Sequence, residues 1–234
     1  MPHRHFSPPS QTAVSPGDGC LSIFLLTPLA VLVVGALMAL LLAGGAEMPV
    51  LAQALYLPGT SSDPPTAPPG LAAVFTPEVD AWGAELLRWA AEAGLDPNML
   101  ATVMQIESCG DPLALSRSGA MGLFQVMPYH FTPEDDPFDP DTNALRGSQY
   151  LVRSIATSGG DARLAFAGYN GGIGVIGWLE SDWSAETQRY AYWGSGIYAE
   201  ASAGLETSLR LGEWLQAGGA SLCRQAAERL GLDP

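Results

Sequence analysis

At Thr76-Pro77, Asp96-Pro97 and Asp139-Pro140 a capping residue stands directly before a proline, and residues with helical apolar spacing follow. Thr and Asp accept hydrogen bonds from the free N–H groups of a first helical turn, and proline fits that turn because its missing N–H is not needed there. Each pair therefore starts a helix. After Pro77, the residues Val79, Trp82, Leu86, Leu87 and Ala90 recur on one helical face, and Gly94 suits the end. After Pro97, Leu100, Val103, Met104 and Ile106 lead to Glu107. A third helix is predicted from Asp139-Pro140 to about Thr157, stopping at Gly159-Gly160, and Asp161 caps a fourth that runs from Ala162 to about Tyr169. Helical spacing returns near residues 184–198, 205–215 and 221–230, and no convincing strand alternation occurs. The fold class expected is all-α, in a domain of about 155 residues that can bury a sizeable core.

What precedes that domain has a different texture. Residues 21–43 form an uncharged run of 23 residues. At about 1.5 Å per residue it reaches roughly 34 Å as a helix, enough for a hydrocarbon core of about 30 Å. An uncleaved transmembrane anchor is the favoured reading. A cleaved signal sequence is the competitor, since Pro28 shortens the apolar core and Ala52-Gln53-Ala54 offers small residues for cleavage. The boundaries expected are a disordered tail at 1–20, the anchor or signal at 21–43, a Pro-rich flexible linker at 44–75 and the folded domain at 76–234. Either reading places the domain outside the cytoplasm, at the cell membrane or secreted.

Composition excludes several classes. The net charge is −14, and all 10 basic residues are arginine, so no lysine is available as a nucleophile or for a Schiff base. Nucleic acid is excluded as a partner, because phosphate neutralisation needs basic clusters. The histidines are His3, His5 and His130, and the cysteines Cys20, Cys109 and Cys223, with no zinc-like spacing among them. No metal or other cofactor is expected. Cys109 and Cys223 both fall on the exported side, where disulfides persist, and are expected to pair.

Four separated segments carry polar groups suited to a cleft. They are Glu107-Ser108; Gly122-Leu123-Phe124-Gln125, followed by Val126-Met127-Pro128; Gly168-Tyr169-Asn170-Gly171-Gly172; and Glu186-Thr187 with Tyr190. Each has an ordinary structural reading alone. Together, in this order and spacing over about residues 82–198 and with Ser116 and Gly119-Ala120 between the first two, they resemble the catalytic domain of lytic transglycosylases. The departures are Phe124 for the family's usual Met, Gly168 for Ala, and Cys109 directly after Glu-Ser.

The resemblance implies a lysozyme-like, goose-type-like helical fold and a peptidoglycan substrate. It implies non-hydrolytic cleavage of the MurNAc–GlcNAc β-1,4 bond to leave 1,6-anhydroMurNAc ends. Glu107 would be the single general acid/base, oriented by Tyr190, while Ser108, Ser116, Gln125, Tyr169 and Asn170 would bind substrate. The residue types suit the chemistry: the departing oxygen needs a proton, and an acid desolvated by Met104, Ile106 and aromatic neighbours holds one at neutral pH. An intramolecular hydroxyl needs no second carboxylate to activate water. The glycines at 119, 122, 171 and 172 would admit a close-lying glycan. Trp178, Trp183 and Trp193 could stack on sugars, although core packing suits them better.

Two other readings remain. A goose-type lysozyme-like hydrolase would need a base such as Asp111, Glu134, Asp135, Asp136 or Asp161. An inactive glycan-binding or scaffold module would have no need of Glu107.

Overall fold

A computed structural model describes residues 70–232. These form α1 (Pro77–Asp80), α2 (Gly83–Ala93), α3 (Pro97–Glu107), α4 (Pro140–Thr157), α5 (Ala162–Gly171), α6 (Ala185–Ser202), α7 (Leu209–Trp214) and α8 (Ala220–Leu230), with short 3₁₀ turns between α3 and α4 and between α5 and α6, and a π-helical turn, Leu215–Gly219, between α7 and α8. No β-strand occurs among the described residues, only isolated bridges of Met121 with Leu115 and Val126. The expected all-α class is what is found.

Of the helix starts expected at Thr76, Asp96, Asp139, Asp161 and Ser184, all but the first follow the capping logic. Asp96, Asp139, Asp161 and Ser184 each accept a hydrogen bond from a first-turn N–H, on Asn98, Thr142, Leu164 and Thr187 respectively. Thr76 stands at its cap position but makes no such bond. Its N–H donates to Gln105 Oε1 at 3.1 Å and its hydroxyl lies 3.3 Å from Cys109 Sγ, so it ties the chain entry to α3 instead. The helix expected after Pro77 is also broken, at Ala81–Trp82, into α1 and α2. That break re-phases the apolar face: Leu86, Trp89 and Ala90 are buried, while Leu87 is exposed.

Helix α3 is the axis of the domain, with its residues from Asn98 to Ile106 all buried. Helices α2 and α6 pack against it, and α5 packs between α4 and α6. Full burial of such side chains contributes roughly 1.5–3 kcal/mol each for the larger aliphatics, so α3 is fixed in place before it delivers Glu107 at its end. The expected linker overlaps the described residues only at 70–75, and there Ala72, Val74 and Phe75 are already part of the core. These three apolar side chains gain more from burial than the preceding prolines can, so the packed domain begins ahead of Thr76.

No helix among the described residues is long and apolar enough to cross a membrane. The apolar run at 21–43, the tail before it and the linker up to residue 69 lie outside the described residues.

Candidate active site

Glu107 is the last residue of α3, and the chain turns sharply after it. Cys109 has φ 52° and Gly110 φ 86°, both in the left-handed region. For a cysteine this conformation costs about 1–2 kcal/mol, so other bonds must hold it. One is covalent: Cys109 and Cys223 are joined by a disulfide with Cα atoms 5.0 Å apart, which fastens α8 to the end of α3 as the sequence led us to expect. Glu78 lies close to both sulfurs, but with the thiols consumed in the disulfide the group has no thiolate to offer a metal.

Ser108 supplies another bond. It is 1% exposed, and its hydroxyl donates to the Leu123 carbonyl at 2.7 Å while accepting from Gly110 N–H at 3.1 Å. This joins the end of α3 to the Gly122–Gln125 turn. Asn143 of α4 holds the same turn from its other side: its Oδ1 accepts from Phe124 N–H at 2.9 Å and its Nδ2 donates to the Met121 carbonyl at 2.8 Å. Gly122 has φ 72°, and a Cβ there would meet Asn143 Nδ2 at 2.4 Å, so no larger residue fits. Tyr169 of α5 adds a third tie, its hydroxyl donating to the Phe124 carbonyl at 2.8 Å.

These elements enclose a cleft with Glu107 at its waist. The larger lobe, about 390 Å³, is lined among others by Glu107, Ser116, Gln125, Tyr169, Asn170 and Glu186. The smaller, about 180 Å³, is lined by Ile106, Glu107, Asn170, Glu186, Arg189, Tyr190 and Trp193. Glu107, Asn170 and Glu186 border both. Glu107 retains a partial opening to the cleft, yet the protein around its carboxyl is dense. Desolvation pushes its pKa up to about 8, with the charge of Glu186 adding to the rise and Tyr190 opposing it. The acid is therefore protonated at neutral pH.

Tyr190 is 5% exposed, and its hydroxyl makes no hydrogen bond of normal geometry. It stands near enough to Glu107 to favour the carboxylate, and burial followed by the charge of Glu107 pushes its own pKa well up. A buried hydroxyl without a partner is uncommon and free to engage Glu107 once the acid gives up its proton. Tyr169 is raised in the same way, by burial and then Glu107, and stays neutral.

The expected site residues separate into two groups. Glu107, Ser116, Gln125, Tyr169 and Asn170 border the larger lobe, and Tyr190 closes the smaller. Asn170 Oδ1 accepts from the Thr187 hydroxyl at 2.9 Å, which leaves the amide NH₂ as the group offered to a ligand. Gln125 lies in the cleft wall with φ 46°, but its Nε2 is committed to the carbonyls of Ala114 and Gly122. Ser108 does not reach the cleft at all; it acts from behind.

Other expectations are corrected by position. Gly122 approaches Asn143 rather than open space, whereas Gly171 and Gly172 do line the larger lobe, a Cβ on Gly171 meeting Thr187 Oγ1 at 2.8 Å. Trp183 is buried with its Nε1–H donating to the Val175 carbonyl, Trp193 lines the smaller lobe, and Trp178 is exposed away from both lobes. None of Asp111, Glu134, Asp135, Asp136 or Asp161 lines either lobe.

Several lining residues are not among those the sequence pattern points to. Glu186, part of the Glu186-Thr187 motif, is the second carboxylate in the cleft. Tyr129, His130 and Tyr150 were not singled out, although the Tyr-His pair directly follows the Gly122–Pro128 segment and was visible there.

Residues 86–191 match the family model for the transglycosylase SLT domain. A transglycosylase of Enterobacteria phage PRD1 is 35% identical over 103 residues, covering 43% of this chain and 37% of the relative. Membrane-bound lytic murein transglycosylase C of Photorhabdus laumondii is 32% identical over 113 residues, covering 39% of this chain and 31% of the relative. A solved structure of an inactive mutant of lytic transglycosylase Slt from Pseudomonas aeruginosa matches 64% of this chain and 24% of that one, at 21% identity and a TM-score of 0.39. The chain spans about a third of the length of the curated relatives it matches.

Proposed function

We propose, from the premise that residues 86–191 are a transglycosylase SLT domain, that this chain is a peptidoglycan lytic transglycosylase with Glu107 as its acid/base. The observation that carries the reading is a carboxyl kept protonated to about 8 at the waist of a two-lobed cleft. A glycan running through both lobes presents its scissile oxygen to Glu107. The acid protonates that oxygen, and the C–O bond to the anomeric carbon of the muramoyl unit breaks. Glu107, now a carboxylate beside Tyr190 and Glu186, takes the proton of the muramoyl 6-hydroxyl as that oxygen bonds the anomeric carbon. The products are a 1,6-anhydro ring and a free 4-hydroxyl, and Glu107 is again protonated.

Tyr190 is read as the group that steadies the transient carboxylate, and Asn170 and Ser116 as sugar ligands. The lysozyme-like assignment of the helical fold belongs to the same reading. We place the reaction outside the cytoplasm, with residues 21–43 as the tether or export signal; the membrane-bound name of the Photorhabdus relative supports a membrane-associated position.

A hydrolase is the second reading, and Glu186 is the observation that favours it. It shares both lobes with Glu107, so a carboxylate is present where a base for water would stand. Digestion of purified murein followed by mass spectrometry separates the two. Anhydromuramoyl ends support the transglycosylase, reducing muramoyl ends the hydrolase, and undigested murein defeats both.

A further inference from the structure

Five rings follow one another along the cleft wall. Ring centroids of Tyr129 and His130 are 4.5 Å apart, of His130 and Tyr150 4.7 Å, and of Tyr150 and Tyr169 5.6 Å. The series ends at Tyr190, which stacks 6.5 Å from Tyr169 and adjoins Glu107. The mechanism uses only the inner end. Tyr129, His130 and Tyr150 all line the larger lobe and have no part in it.

The local sequence explains how the outer rings are held. Tyr129 and His130 sit in a 3₁₀ turn, Pro128–His130, closed by hydrogen bonds from His130 N–H to the Met127 carbonyl and from Phe131 N–H to the Pro128 carbonyl. Phe131 packs on the core from the far side of the turn. The turn is thus pinned from within while Tyr129 stays 75% exposed at the mouth of the lobe. A lone exposed aromatic on a convex surface is ordinary, but one ordered by neighbours on the rim of a concavity contributes little to folding and is placed for a ligand.

We propose that Tyr129 and His130 form an outer saccharide subsite, which takes the apolar face of a pyranose ring farther from the scissile bond than the units held by Asn170 and Ser116. This rests on the reading of the cleft as one that binds glycan. A pyranose has an apolar C–H face and a polar edge, and an aromatic ring with a polar tip matches both. Burial and the nearby Arg153 pull the His130 pKa below its ordinary value, so the imidazole is neutral and offers one donor or acceptor to sugar hydroxyls. Lining chemistry argues for sugar over an acidic stem peptide: the lobe is lined by Glu186 and a protonated Glu107, and no arginine among the described residues lines it, Arg189 belonging to the smaller lobe and Arg153 lying over the Tyr150 ring without being part of the lining.

The test uses the full chain carrying Glu107→Gln, so that ligand is not consumed, titrated calorimetrically with chitobiose and chitopentaose. Adding Tyr129→Ala should weaken chitopentaose binding about 3- to 10-fold and leave chitobiose unchanged. Tyr129→Phe should keep most of the affinity. Equal chitopentaose affinity with and without Tyr129, or an equal loss for both ligands, overturns the subsite while murein cleavage by the unmutated chain leaves the enzyme reading standing. If the unmutated chain leaves murein intact, the enzyme reading falls and the subsite falls with it.

Discussion

The Ser108 hydroxyl donates to the Leu123 carbonyl at 2.7 Å, so the residue after the acid is bonded to the turn that forms the facing wall of the cleft. Ser108 is buried and bonded to that turn, and the role proposed for it is to position Glu107. Ser108→Ala removes the donor and leaves a buried carbonyl and the Gly110 N–H without their partner. A loss of about 1–3 kcal/mol in unfolding free energy is expected, with reduced murein release at unchanged substrate affinity. Chemical denaturation of the variant checks it. Unchanged stability with weakened glycan binding would mean that Ser108 is a ligand after all.

Burial of Glu107 makes stability pH-dependent in a defined window. Its carboxyl titrates at the ordinary glutamate value, 4.5, in the unfolded chain and at about 8 in the folded one. Between those values the unfolded state has lost a proton that the native state keeps. Stability from this group is therefore full below 4.5, falls as pH rises, and is gone above about 8. Glu107→Gln lacks the titration, so its melting temperature should gain on wild type across that window, by an amount equivalent to roughly 3–5 kcal/mol at the alkaline end. The same substitution should cut murein cleavage by at least about 100-fold. A melting-temperature difference that stays flat with pH would show that the acid is not desolvated.

Much of this was legible in the chain because it is written in local chemistry. Asp96, Asp139 and Asp161 announce helix starts through a side-chain oxygen that serves the next turn, and the apolar spacing after them locates the core face. Glu107 could be picked out because a carboxylate at the end of an apolar helix has few structural uses. The misses are tertiary. Nothing local says that α1 and α2 break at Ala81–Trp82, or that the Ser108 hydroxyl turns inward to a carbonyl 15 residues away. Glu186 lies on α6 and meets Glu107 only through the packing of α6 on α3, so the apparent solitude of the acid was a property of the sequence and not of the cleft.

Glu186→Gln separates the two chemistries at the level of one side chain. In a transglycosylase, Glu186 acts on Glu107 through its charge alone, and that charge raises the pKa of the acid. Removing it should move the alkaline limb of the pH–rate profile to lower pH while activity on the acid side persists. In a hydrolase that uses Glu186 as base, activity should fall by at least about 100-fold at every pH. A pH–rate profile of murein solubilisation distinguishes a shifted limb from a uniform loss.

Gly168, where the family pattern has alanine, is held to its size by two neighbours. A Cβ there would lie 2.4 Å from Ser154 Oγ and 2.6 Å from Ile176 Cδ1. The serine cannot simply swing away, because its hydroxyl donates to the Ala165 carbonyl at 2.7 Å within the core. Gly168→Ala should therefore cost about 1–3 kcal/mol by overpacking. Pairing it with Ser154→Gly should recover part of that loss. Additive losses in thermal melts of the double variant would show that the contact is not what restricts the position.

The Cys109–Cys223 bond closes a loop over a sequence separation of 114, and loops of this length gain most from a cross-link in the chain-entropy account. It also fastens α8 against a residue with φ 52° two positions after Glu107. Gln105 Nε2 contacts the Cys109 sulfur at 3.0 Å, so the cross-link is continuous with the bonds that hold the chain entry to α3. Cys223→Ser should lower stability by about 2–4 kcal/mol. It should lower murein cleavage as well, since Cys109 is then free to leave the left-handed region and shift the end of α3. Reductant supplies the control: it should bring wild type down to the melting temperature of Cys223→Ser and leave the variant unmoved. A wild-type melt indifferent to reductant would mean that packing of α8, not the bond, keeps Glu107 in place.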